Sequence, residues 1–345
     1  MTRRHSALAI LSIALATVTT SHAQDAAVVA AAAKGAADTS EGIGVRGADA
    51  NWWFLKSELQ HIATGDFAAD FSKSSTTATD PTAEIVRYSE DVKANGARLI
   101  LVPVPAKASV HPDKLAAGAT SAPGASGFLK ALAAAGVEVV DLEPVLRELS
   151  ATTAPYCQQD SHWSPAGCQT AAKAIAAKIR ESDAGFLDTA KSAFGQPIVA
   201  SGQQELEVHG DLIPDSEKAS VAKEKLSVVY VGIGDAAAPA PIAIDKSSPV
   251  VLVGDSHTLV FNEGAGTGMH SQGAGIADHL AMELGFPCDR EASKGSGSYS
   301  ARANVARRSA KEDIWAEKKV IIWLFSAREF TQGKWSKVPA NVKKK

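Results

Sequence analysis

Unbroken apolar runs, rather than strict alternation, mark the firmest strand candidates in this chain. Residues 97–105 read "ARLILVPVP", residues 248–256 "SPVVLVGDS" and residues 318–326 "KKVIIWLFS". Near-continuous hydrophobicity of this length is what a parallel strand needs when both of its faces are covered. "VEVVDL" at 137–142 and "LSVVYVG" at 226–232 read as further strands of the same kind. Between them the apolar period changes to that of a helix. It does so in "TAEIVRYSEDVKANG" (82–96), "GFLKALAAAG" (127–136), "EPVLREL" (143–149), "IADHLAMELG" (276–285) and "SARANVARRSA" (300–310). Ser164-Pro165 is a helix-start signal, a hydroxyl cap followed by proline in the first turn. It predicts a helix from Pro165 to about Arg180. Alternating strands and helices of these lengths predict an α/β fold with a doubly wound, mostly parallel sheet. Residues 183–226 and "AAAPAPIAI" (236–244) break the rhythm and read as insertions over one sheet edge.

The ends read differently. "MTRRHS" followed by the apolar run "ALAILSIALATV" and "SHA" fits a signal peptide, residues 1–23, cleaved after Ala23. The run is far shorter than the roughly 20 residues that cross a bilayer, so the expectation is a periplasmic or secreted protein. Residues 24–46 are alanine-rich and predict a flexible N-terminal arm or a loosely held helix, residues 47–335 the folded domain, and residues 336–345 a basic tail. With 345 residues and a formal net charge of −3, the chain is long enough for one sizeable core and lacks the strongly basic balance of a nucleic-acid binder. Export makes the environment oxidising, and Cys157 and Cys168 bracket the stretch "CQQDSHWSPAGC" (157–168). A bridge between them is favoured because it would pin the proposed site, leaving Cys288 unpaired. No Cys-x-x-Cys pair accompanies them and His61, His209, His270 and His279 have no visible ligand partners, so neither a metal nor another cofactor is expected.

The chemistry concentrates at two places. In a doubly wound sheet, sites form at the carboxyl ends of strands, and Ser256 stands at such an end behind Gly254. A serine hydroxyl is a weak nucleophile until a base takes its proton, and a histidine oriented by a carboxylate supplies that base. Asp160 and His162 are the natural pair: in an extended segment residues i and i+2 face one side, with Ser161 turned away. Four residues are candidates for the oxyanion or substrate contacts. Gly297 lies in the glycine-rich turn "KGSGSYSARAN", able to aim backbone N–H groups at an oxyanion, with a flexible loop capped by serine as the ordinary alternative. Arg328 follows the late strand, with a surface ion pair to Glu329 or another carboxylate as its ordinary alternative. Trp163 adjoins the base, and buried packing is its ordinary alternative. His257 adjoins the nucleophile, with a partly exposed loop position as its alternative.

These motifs resemble a known family. The strand-end "GDS" resembles the first block of SGNH hydrolases. "DSHW", placed ahead of the serine and not behind it, resembles the periplasmic alginate O-acetyltransferase family, whose SGNH-like domain carries a permuted Asp-x-His-Trp element. "ADANWWFLKSELQHIATGDF", "HGDL" (209–212) and "VIIWLFSAREF" are similar to that family's opening, middle and closing segments. The resemblance implies Ser256 as acetyl-carrying nucleophile, His162 as base and Asp160 as its orienting partner. It also implies transfer of acetyl to hydroxyls of an exopolysaccharide acceptor, beside a membrane-bound O-acyltransferase that supplies the donor. The chain departs from the pattern in "GDSHT" beyond its first three residues and at Asn51 in place of glycine, and no segment matches the block that contributes an oxyanion asparagine. Two other readings stand beside this one: an SGNH-type carbohydrate acetylesterase with the same triad, and a non-catalytic scaffold in a polysaccharide secretion complex.

Overall fold

A computed structural model describes residues 24–342 apart from 75, 78 and 182–184. The signal peptide expected at 1–23 and the three terminal lysines lie outside the described residues. Among the described residues there are nine strands: β1 Gly44–Arg46, β2 Trp53–Leu55, β3 Arg98–Val104, β4 Glu138–Val139, β5 Ile198–Val208, β6 Glu224–Ile233, β7 Val250–Gly254, β8 Asp289–Ala292 and β9 Val320–Ser326. Five of them form one sheet in the order β4-β3-β9-β7-β8, and every pairing in it is parallel.

The unbroken apolar runs do what parallel packing demands. Along β9, Val320, Ile322 and Leu324 enter the core on one face while Ile321, Trp323 and Phe325 enter the core on the other. β3 divides in the same way, Ile100 and Val102 against Leu99 and Leu101. The first face is covered by the Pro165–Arg180 and Ile276–Leu284 helices, the second by Thr82–Ala94, Ser126–Ala134 and Arg302–Ser309. On the second face Arg302 is fully buried with its guanidinium 4.9 Å from the Trp323 ring centre and bonded to Glu84. A buried guanidinium persists because its charge is paired and its flat faces stack on aromatic rings.

Several expectations are corrected. The 24–46 segment is not a loose arm: residues 24–39 are helical, and Val29, Ala33 and Ala37 bury one face of it in the core. Spacings of four residues on an alanine-rich helix make a narrow apolar stripe that docks closely. The domain also runs past residue 335, since Val338 and Ala340 are buried and Val338 N–H donates to Glu84 Oε1 at 3.0 Å. "LSVVYVG" does not join the main sheet. It lies in β6, which pairs antiparallel with β5 as a separate two-stranded hairpin. Leu226 and Val228 face inward while Lys225 and Ser227 face solvent, which is the one-sided pattern of an antiparallel ribbon. Within the 183–226 stretch, the described residues from 185 on are therefore a helix, Gly185–Phe194, followed by a hairpin arm. The edge strand β8, "DREA", was hidden by its charged side chains, a composition suited to an edge.

Candidate active site

The 157–168 stretch is a closed loop at the foot of the Pro165–Arg180 helix. Ser164 caps that helix by accepting the Gly167 N–H at 3.2 Å. A single antiparallel bridge between Tyr156 and Trp163 closes the loop's neck. The segment between is a tight turn, not extended chain, because the His162 N–H donates to Asp160 Oδ1 at 3.0 Å. That is an Asx turn, the local structure aspartate favours. Ser161 accordingly does not point away: its hydroxyl donates to Asp211 Oδ2 at 2.7 Å and lies 3.4 Å from His162 Nδ1.

β7 ends at Gly254 and delivers Ser256 to the mouth of this loop. A side chain at Gly254 would strike the Leu324 carbonyl of the neighbouring strand, so only glycine permits the turn. His162 Nε2 stands 2.7 Å from Ser256 Oγ, and His162 Nδ1 stands 2.6 Å from Asp160 Oδ1. Asp160 and His162 are buried while Ser256 is half-buried. A histidine with a carboxylate on one nitrogen and a hydroxyl on the other carries its proton on the carboxylate side, leaving Nε2 to accept from the serine. Burial pushes the His162 pKa down, but the Asp160 charge and hydrogen bond outweigh it, and the net direction is upward. For Asp160 burial opposes ionisation, and the interactions with His162 and His270 overcome it, holding the carboxyl well below its usual range.

Five groups that motif reading did not assign to the site hold this arrangement. Asp160 Oδ2 accepts the Asp211 N–H at 3.0 Å and faces His270 Nε2 at 2.9 Å. Lys107 is completely buried, and its ammonium donates to the carbonyls of Trp53 at 2.7 Å and Asp160 at 2.6 Å. Glu58, also buried, accepts the Lys107 backbone N–H at 3.3 Å and is pushed upward in pKa by burial. Gly210 packs so closely on the loop that a Cβ there would collide with the Gln159 carbonyl. "HGDL" was visible as a motif, and this contact is its physical reason. A buried lysine after the β3 end leaves no mark in the hydrophobic pattern, and His270 carries no ligand-like spacing. Asp160, His162 and Asp211 present ligand atoms within 4.8 Å of one another. Those atoms are already committed to the serine, to Ser161 and to each other, so the set reads as a hydrogen-bond network.

The remaining candidates fall unevenly. Arg328 is half-buried just past β9, and its charge acts on Asp255, His257 and Glu58. It makes no ion pair with Glu329 among the described residues, because the Glu329 carboxylate accepts the N–H groups of Gly297 and Ser298, each at 2.8 Å. The Gly297 N–H is thereby unavailable to an oxyanion, which corrects that expectation. Trp163 is wholly buried with its ring centre 5.4 Å from that of His257, so it supports the loop from below and meets no substrate. His257 is not an exposed loop residue. It is buried, its Nδ1 lies 3.0 Å from Asp255 Oδ1, and burial lowers its pKa despite that carboxylate. Asp255 in turn receives the Ser326 N–H at 2.7 Å, tying the nucleophile turn to β9. Cys157 and Cys168 are free buried thiols and not a bridge. Cys157 Sγ donates to the Trp163 carbonyl at 3.5 Å, so the loop is pinned by hydrogen bonds. A cavity of about 770 Å³ opens behind the loop, lined by Arg46, Trp53, Gln158 and Glu224 among others. None of the triad lines it, so size alone does not locate the chemistry.

The match to known proteins covers the same segment. The family model described as "SGNH hydrolase-like domain, acetyltransferase AlgX" matches residues 45–327. The probable alginate O-acetylase AlgJ of Pseudomonas aeruginosa is 34% identical over 95 residues, 27% of this chain and 24% of that protein. The chain thus matches about a quarter of the length of that curated relative. Among solved structures, the O-acetyltransferase domain of Pseudomonas putida AlgJ superposes with a TM-score of 0.57 at 20% identity, covering 84% of this chain and 92% of that one. Pseudomonas aeruginosa AlgX superposes with a TM-score of 0.58 at 19% identity, covering 82% and 62%. Both structures share the fold. By the extent of the family match, this chain belongs to the SGNH hydrolase-like acetyltransferase family typified by AlgX.

Proposed function

We propose that the chain is an exported serine O-acyltransferase that moves acetyl onto hydroxyls of an exopolysaccharide of the alginate type. The observation that carries the reading is the unbroken hydrogen-bond chain from Ser256 Oγ through His162 to Asp160. It is supported by the acetyltransferase family match. In the first half-reaction Ser256 Oγ attacks the donor's acetyl carbonyl as His162 Nε2 takes the hydroxyl proton. The tetrahedral oxyanion collapses, the donor oxygen leaves with that proton, and acetyl stays on Ser256. In the second half-reaction an acceptor hydroxyl gives its proton to His162, attacks the acetyl carbonyl and releases Ser256. Asp160 keeps the imidazole in the useful tautomer and stabilises its charged form. The Ser256 N–H, first in its turn and without an acceptor among the described residues, is placed to donate to the oxyanion. Arg328, whose charge acts on Asp255 and His257 on either side of the serine, would stabilise the same oxygen or bind the acceptor. The acetyl donor would come from a membrane-bound O-acyltransferase partner. No helix among the described residues is long and apolar enough to cross a membrane.

The test is acetylation of the purified protein by an activated acetyl ester, followed by addition of an oligosaccharide acceptor. Mass spectrometry is expected to find acetyl on Ser256, absent from Ser256→Ala and His162→Ala, and then on the sugar. Free acetate with unmodified sugar would make the chain an acetylesterase. No acetyl on Ser256 in folded protein would overturn the reading in favour of a scaffold.

A further inference from the structure

The residue the motifs do not explain is His270. It sits in a loop of successive turns between Ser256 and the Ile276–Leu284 helix, with φ +63°. A left-handed backbone at a non-glycine residue is costly and persists only where its surroundings over-determine it. They do so here. The carbonyl of Met269 accepts the Phe261 N–H at 2.9 Å, the Met269 N–H donates to Gly264 at 3.1 Å, and Ser271 accepts the Gly264 N–H at 3.1 Å. Both neighbours of His270 are therefore fastened. Phe261, itself at φ +57°, places its ring centre 5.3 Å from that of His270. This strained loop delivers His270 Nε2 to 2.9 Å from Asp160 Oδ2.

Asp160 then has four partners. Oδ1 takes the backbone N–H and Nδ1 of His162, and Oδ2 takes the Asp211 N–H and His270. An ionised carboxylate only accepts, so His270 carries its proton on Nε2. With Oδ2 held from two directions, the carboxylate cannot rotate away, and Oδ1 stays aimed at the imidazole.

We propose that His270 is a positioning residue for the transfer reaction, fixing Asp160 so that His162 is presented to Ser256 in the reactive tautomer and orientation. This deepens the serine-transferase reading above and rests on it. His270 drains part of the Asp160 charge, and its removal would concentrate that charge toward His162. The other charged and titratable groups near the pair stay in place. Asp211, Asp255 and Glu58 act on His162, Lys107 and Glu224 interact with Asp160, and His257 lies against the His162 ring.

The test measures the rate of Ser256 acetylation by p-nitrophenyl acetate against pH for wild type, His270→Gly and His270→Gln. Glycine removes the donor while suiting the positive φ, and glutamine restores an N–H donor of comparable reach. The expected result for His270→Gly is a folded protein whose acetylation rate at saturating ester falls about tenfold or more, as losing a hydrogen bond to a charged acceptor entails. Its KM for the ester should change little, and the acid limb of its pH profile should move to higher pH. His270→Gln should regain most of the rate and return the limb toward its wild-type position. A His270→Gly rate within twofold of wild type overturns the proposal. So does an equal loss in both variants with the acid limb unmoved, which is what mere disturbance of the loop would produce. If wild type itself takes no acetyl on Ser256, it is the transferase reading that fails, and the two failures are thereby distinguished.

Discussion

Replacing Lys107 with methionine isolates the group beneath the Asp160 loop. The side chain is fully buried, so methionine fills nearly the same volume and creates little cavity. What is lost is an ammonium that donates to the carbonyls of Trp53 and Asp160. Hydrogen bonds from a charged group contribute about 1.5–3 kcal/mol each, giving roughly 3–6 kcal/mol gross. Relief of ammonium desolvation returns part of this, and removing one member of a buried charged cluster typically leaves a net loss of about 3 kcal/mol. For a chain of this size that corresponds to a fall in Tm of about 6 °C. Glu58, with its pKa already raised by burial, loses a favourable cation. A carboxyl whose folded pKa lies above its unfolded value takes up protons on folding, so its contribution to stability declines as pH rises from about 4.5. The Lys107→Met loss should therefore grow with pH above that point, and Glu58→Gln in the same background should remove the pH dependence and recover about 1 kcal/mol. Urea unfolding at several pH values reads both quantities. A loss below about 1 kcal/mol, flat with pH, would show that the buried ammonium is not what holds the loop.

Four further outcomes follow from the structure. Because His162 must be neutral to act as base and its pKa is raised above 6.5, kcat/KM for acetyl transfer should climb as pH passes through a value above 6.5. Asp160→Asn should lower kcat by a factor on the order of 10³–10⁴, and a pH profile with its acid limb below 6.5 would contradict the assignment. Gly210→Ala, forced against the Gln159 carbonyl, should cost about 1–3 kcal/mol by overpacking and reduce acetylation more than stability alone explains, read by paired unfolding and burst assays. Thiol titration of the denatured protein should return all three cysteines, and dithiothreitol should leave the Tm unchanged, since Cys157 and Cys168 are unbridged.

How far the sequence could be read depended on whether a feature had a local cause. β3, β7 and β9 were legible because burial on both faces requires unbroken apolar runs. The Pro165–Arg180 helix was legible because its cap is two adjacent residues. Asp160, His162 and Ser256 were legible as residue types at a helix start and a strand end, and the fold brings their side chains within hydrogen-bond distance. β6 was misplaced because an apolar run does not declare its partner, and the partner β5 carries a polar, exposed stretch at Gln203–Glu205 in its middle. Gly297 was assigned a free N–H because nothing in its neighbourhood foretells that Glu329, 32 residues later, takes it. Lys107 and His270 were missed for the same reason. Their importance lies in contacts 53 and 110 residues away along the chain, and no local spacing encodes those.

The hairpin arm has a consequence in time as well as in space. Asp160 and His162 lie before it in sequence and Ser256 after it, His162 and the serine standing 94 positions apart. The arm itself supplies Asp211 and Glu224, which secure the Asp160 loop through contacts spanning 51 and 65 residues. Long loops must close before such contacts repay their entropy. On refolding, helix content and the main sheet should therefore recover ahead of acetylation activity. The interval between the two would measure how long the chain exists as a finished scaffold around a site not yet assembled.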